Sequence, residues 1–264
     1  MGRARFGFAL FALVLFSTLL APALRPVDPL KPDYSATYAP PSAEHPLGTD
    51  RLGRDVLSRA LAGGRVSLTI ALSATALTML LGGALGSLAA AVGGAVDTVL
   101  TRAFDSLLAF PGFLLVLLVV AILGGGAAQT VLALGIAGSP VYFRLARSYA
   151  RSELRSEYVL AALALGASRP RQVVRHALPN FAGNLLVQGA STAATFLLVE
   201  ASLSYLGLGV PLPTPSWGNV LQESRAFLTR QPWAAMGPGV FLAAASLSFQ
   251  FIADGMRDRL DRRS

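Results

Sequence analysis

The sequence contains no cysteine, which excludes disulfides, thiol nucleophiles and thiolate metal sites. Only one of its 22 basic residues, Lys31, is a lysine. A Walker A loop needs a lysine behind a glycine-rich turn to reach nucleotide phosphates. Lys31 sits instead in a proline-rich stretch, so the chain cannot drive itself by that route. The two histidines, His45 and His176, fall on opposite sides of the membrane in the topology derived below, which leaves hydrolase and metalloprotease chemistry without a constellation. Charge is also scarce, at 14% against 53% hydrophobic residues, and the mean hydropathy is +0.57. These totals are those of a membrane protein. The net charge of +8 does not point to nucleic acid, because the arginines flank hydrophobic runs instead of forming a stripe with interleaved aromatics.

Apolar runs close to the ~20 residues that cross a bilayer make up most of the chain. Arg3 and Arg5 precede the run Phe6 to Leu20, and Ala21-Pro22-Ala23 follows it. That pattern suits a cleaved signal peptide and a retained first span equally, and either places residue 30 outside. Residues 25–65 are rich in proline and charge. Within them Thr49 or Asp50 is expected to cap a short amphipathic helix carrying Val56, Leu57 and Leu61. Further spans are expected at 66–92, 105–124 with an interruption at Pro111-Gly112, 129–147 with a kink at Pro140, 183–205 and 236–256. Asp97 and Arg102 mark a turn. Thr78, Gly82 and Gly86 have the spacing that lets helix backbones approach closely. Trp217 and Trp233 are expected at the membrane interface. The fold class is therefore all-α, a polytopic membrane protein of about six transmembrane helices.

Charge gives an orientation. With the N-terminus inside and six alternating spans, fourteen basic residues lie inside and eight outside, six of these eight in the long segment 25–65. The stretch 144–176 alone carries seven arginines against Glu153 and Glu157, so it is expected in the cytoplasm. Part of it, Glu157 to Asn180, is a polar interlude with helical character at both ends. Gly166 suits a helix C-terminus. Ser168, Pro170 and Gln172 suit a second helix start, and that helix is expected to stop at Pro179. Beyond it Asn184, Gln188, Ser191 and Thr195 share one face of a span, with Glu200 further out. Such a stripe lines an aqueous path or bonds neighbouring helices. An intramembrane carboxylate such as Glu200 is a functional candidate by default.

The segment after Leu160 resembles the cytoplasmic "EAA" loop of ABC-importer permeases. Ala161 and Ala162 match its alanines, Gly166 its glycine, and Leu178 and Pro179 its final pair. Leu160 and His176 depart from it, replacing a glutamate and an apolar residue. The stretch His45 to Arg65, the connection LSYLGLGVPLPTPSWG and the tail from Phe249 resemble the dipeptide, oligopeptide and nickel branch of the same permeases, so the resemblance covers essentially the whole chain. It implies an ABC type I importer permease fold and a retained first span. Residues 1–65 would hold that span and an external segment, 66–256 the transport domain with its coupling loop near 148–182, and 257–264 a cytoplasmic tail. It implies a bacterial or archaeal inner-membrane location with both termini in the cytoplasm.

By the same resemblance the chain is a transport subunit and not itself an enzyme. It would pair with a homologous second permease, two cytoplasmic ATPase subunits and an external solute-binding protein delivering a peptide or related solute, all within membrane lipid. Ala161, Ala162, Gly166, Leu178 and Pro179 would couple it to the ATPases. ATP and Mg would be bound by those partners, with no cofactor or metal on this chain. Asn184, Gln188, Ser191, Thr195 and Glu200 are the candidates for the translocation path. The competing class, an ion-gradient-driven secondary transporter, requires exchangeable ionisable groups at mid-membrane, where the sequence offers only Glu200.

Overall fold

The computed structural model describes residues 2–260, without the side chain of Leu160. Arg262 and Arg263 of the tail, and the Leu160 departure, lie outside what is described. The described residues form helices joined by loops, in the order α1 Gly2–Leu19, α2 Ala21–Leu24, α3 Val56–Val92, α4 Gly94–Leu108, α5 Gly112–Leu123, α6 Ala127–Glu153, α7 Glu157–Ala164, α8 Arg169–Arg171, α9 Leu178–Tyr205, α10 Trp217–Ser224 and α11 Trp233–Leu260.

Helix α3 runs for 37 residues, about 55 Å at 1.5 Å per residue. The amphipathic helix expected before residue 66 is therefore not separate; it is the first part of this span. The cap is Asp55, whose carboxylate accepts the Ser58 N–H at 2.8 Å, instead of Thr49 or Asp50. Thr49 is drawn away to residues 36 and 39, and Asp50 accepts the N–H groups of Leu52 and Arg54. Val56 and Leu61 are buried. The helix ends at Gly93, where φ is +69°.

Small residues set the packing. A Cβ on Gly82 would lie 2.3 Å from the Ser139 carbonyl, and one on Gly86 2.3 Å from that of Phe143. Helices α3 and α6 thus touch backbone to backbone, and Thr78 Oγ1 donates across the seam to Gly135 O at 3.1 Å. Helix α1 lies on α11 in the same way, with Gly255 facing Ala4 and Gly7 facing Ser248 to Ile252.

The span expected at 105–124 is bent. Helices α4 and α5 meet at 93°, because Pro111 offers no N–H to continue α4 and disfavours helical geometry at Phe110. Among the described residues four helices, α1, α3, the rod Arg169–Tyr205 and α11, are long and apolar enough to cross a membrane, or five spans with the bent pair counted as one. Helix α6 is long enough at 27 residues with Pro140 inside it, but its last turns carry Arg144, Arg147 and Arg151. Arg147 and Arg151 hold Asp97 of α4, so the residue expected to mark a turn ties two helices together.

Trp217 is not at an interface. It is fully buried in the main core, and its Nε1 donates to Ala60 O at 2.9 Å. Its environment is the protein, not lipid. Segment 25–55 folds over the same end of the bundle, where Arg25 Nε donates to Asp55 at 3.1 Å and His45 Nδ1 lies 2.9 Å from it.

Candidate functional site: the arginine-rich helical tip and the rod behind it

At the opposite end of α3 stands the stretch Glu157–Asn180. Helix α7 is held from below by Val159, which packs with Leu154, Val173 and Ala91. It ends in a Schellman motif: Gly166 N–H donates to Leu163 O at 2.9 Å and Ala167 N–H to Ala162 O at 3.0 Å, with Gly166 at φ +85°. A side chain at Gly166 would meet nothing within 4 Å. The requirement for glycine is conformational. Ala161, Ala164 and Gly166 are exposed, Ala162 is half-buried, and Leu165 is 90% exposed. Small and apolar groups are thus exposed on α7 and its joint, next to the exposed Arg169 and Arg171.

The second half differs from the sequence-based expectation. Ser168 occupies the N-cap position without a side-chain cap bond, and Gln172 Nε2 donates backwards to Ala167 O at 2.7 Å. The helix does not stop at Pro179. Residues Gln172–Ala177 form a π-helical turn, in which Leu178 N–H reaches Val173 O, five residues back. A proline ring in an α-helix clashes with the carbonyl four residues earlier; the wider turn just ahead of Pro179 relieves that clash. Arg169 to Tyr205 is consequently one rod, running from the tip through the bundle. Leu178 packs beside Ala177 and Phe181 against α6, and Pro179 is exposed.

A polar knot that sequence reasoning missed fixes the tip to the rod. Tyr158 Oη donates to the Glu153 carboxylate, and Asn180 Nδ2 donates to Tyr158 Oη at 2.5 Å. Burial, followed by the hydrogen bond to the Glu153 carboxylate, pushes the Tyr158 phenol up from its ordinary range. Only the tyrosine and asparagine flanking the segment could have signalled it.

The path candidates divide into two groups. Asn184 and Gln188 line a polar cavity of about 180 Å³ with Tyr149 and Arg257. Ser191 is half-buried and Thr195 exposed along the same helix. Glu200 is fully buried, and five residues past Thr195 it is turned about 140° around the helix, away from that stripe. No group of three metal-ligating side chains occurs among the described residues.

A bundle of apolar helices with backbone-close seams, a continuous rod and a small-residue tip defines a polytopic helical membrane protein. The chain belongs to the family of binding-protein-dependent transport system inner membrane components, whose pattern matches residues 82–264. It is 38% identical over 261 residues to the di/tripeptide transport system permease protein DppC of Pseudomonas aeruginosa, covering 97% of this chain and 86% of that one. It is 36% identical over 255 residues to the dipeptide transport system permease protein DppC of Alkalihalophilus pseudofirmus, covering 97% and 84%. To the oligopeptide transport system permease protein OppC of Bacillus subtilis it is 35% identical over 258 residues, covering 98% and 85%.

Proposed function

We propose that this chain is one of two permease subunits of an ATP-driven importer for peptides or related small solutes, receiving its solute from an external binding protein. Two ATPase subunits, which hold the ATP and Mg, press on the tip from the cytoplasm. The observation that carries this reading is the tip itself: an exposed small-residue surface, jointed at Gly166, joined without interruption through the rod Arg169–Tyr205 to the bundle. A push on α7 is passed by the Tyr158–Asn180 knot to α9, and its polar stripe from Asn184 to Thr195 turns with it. Both termini are cytoplasmic in this arrangement. The relatives' names support a peptide cargo.

Reconstitution with the ATPase partners tests it. Gly166→Pro and Ala162→Arg should each abolish ATP-coupled uptake in proteoliposomes while the protein still inserts, because the first breaks the Schellman joint and the second bulks the docking surface. Normal uptake with both changes removes the coupling role. Uptake that persists without ATP and collapses with an ionophore favours the secondary transporter instead.

A further inference from the structure

The carboxyl of Glu200 sits where three elements meet. Hydroxyls of Ser67 on α3, Ser204 on α9 and Ser216 at the start of α10 surround it. The best-formed bond is Ser204 Oγ to Oε1 at 2.8 Å, while Oε2 has no partner of good geometry. Each of these serine oxygens also accepts a backbone N–H: Ser67 from Trp217 at 3.1 Å, Ser204 from Val210 at 3.1 Å and Ser216 from Asn219 at 3.3 Å. A hydroxyl that accepts from the loop keeps its own hydrogen to donate toward the carboxyl. The hydroxyls of Ser67 and Ser204 that face this one acidic group thereby tie Trp217 to α3 and Val210 to α9. The contacts around it are close, since a Cβ on Gly218 would fall 2.3 Å from Ala201 O and one on Gly63 3.0 Å from the Ser216 carbonyl carbon.

The other end of the same rod is packed on one side only, against α6 and the base of α7. An apolar groove of about 530 Å³ opens between α3 and the rod, lined by Met79, Leu88, Val174 and Leu178 among others. The π-helical turn and the Gly166 joint lie there too.

We infer that Glu200 is a positioning residue: it fixes the outer end of α9 to α3 and α10 as a pivot, about which the inner end swings when access changes sides. The inference rests on the importer reading. It assigns Glu200 to the static end of the moving helix and removes it from the path.

Absence of cysteine makes spin labelling at introduced pairs clean. Labels at Thr69→Cys with Leu206→Cys report the outer end, and labels at Leu88→Cys with Val174→Cys report the inner end; all four sites are exposed. In the assembled importer, trapping ATP should shift the inner distance by several ångströms and leave the outer distance within its original width. Glu200→Leu should broaden the outer distance and lower uptake per ATP hydrolysed. Glu200→Gln, which keeps an acceptor for Ser204, should retain a narrow outer distance. An outer pair that moves as far as the inner pair in the unsubstituted protein overturns the pivot, even if Glu200→Leu fails to fold. A narrow, unshifted outer distance in a folded Glu200→Leu protein overturns the role of Glu200. Motion of neither pair defeats the importer reading and the pivot with it.

Discussion

At the end of the bundle that holds Trp217, charged side chains are buried beside the apolar core. Arg59 is 1% exposed, and its guanidinium meets Glu223, which also accepts from Arg54 Nη2 at 2.7 Å. Removing one member of a buried ion pair leaves the other uncompensated, at a cost of about 3–5 kcal/mol. Glu223→Leu is therefore expected to lower the thermal unfolding temperature of the purified protein sharply, and adding Arg59→Met should recover part of the loss. A double variant no more stable than the single one would show that the cluster contributes little. Asp55 gives a pH dependence. Burial pushes its carboxyl up, but the hydrogen bonds from Arg25, His45 and the Ser58 N–H outweigh this and hold it below its ordinary range. A lowered carboxylate pKa stabilises the fold fully above the ordinary range and loses that contribution as pH falls through the folded value. Asp55→Asn should thus flatten the acid limb of the stability curve below about pH 4 and lower the plateau above it. A steep limb left unchanged would place the acid sensitivity elsewhere.

At the scale of the element, the seam between α3 and α6 brings two helix backbones into direct contact. Gly86→Leu would drive four carbons into the Phe143 carbonyl region, which the Cβ alone already approaches to 2.3 Å. We expect loss of folded protein in detergent by size-exclusion chromatography, whereas Gly83→Leu, whose Cβ meets only Leu185 at 3.9 Å, should be tolerated. This seam was legible in the sequence, because the small-residue spacing of Thr78, Gly82 and Gly86 is local. The joint at Gly166 was legible for the same reason. Other features were not. The cap of α3 had three acceptors in seven residues, and the choice of Asp55 depends on Arg25 and His45 arriving from elsewhere. Pro179 reads as a stop unless the π-helical turn before it is known, and that turn sits where Ala177 and Phe181 pack on α6. Hydropathy alone cannot tell whether the Trp217 ring meets lipid or protein. It likewise places Glu200 in a span without showing that Ser67, Ser204 and Ser216 gather around its carboxyl.

For the whole molecule, the two ends of the bundle differ in how firmly they are held, and that difference bears on orientation. One end carries the Glu200 shell, the Arg54–Arg59–Glu223 cluster and the buried Trp217. The tip has Val159 and Val173 as its buried anchors and the Tyr158 knot as its main polar tie. Regions with few buried contacts open at low free energy and exchange their amides fastest. In the isolated permease, amides of residues 157–177 should exchange ahead of those of 200–224. Partner binding stabilises only the state that it contacts, so adding the ATPase subunits should slow exchange across 157–177 and leave 25–60 unchanged. Adding the solute-binding protein should do the reverse. Protection by the ATPases at 25–60, with the tip unaffected, would invert the topology derived from arginine placement and sever the tip from the source of force.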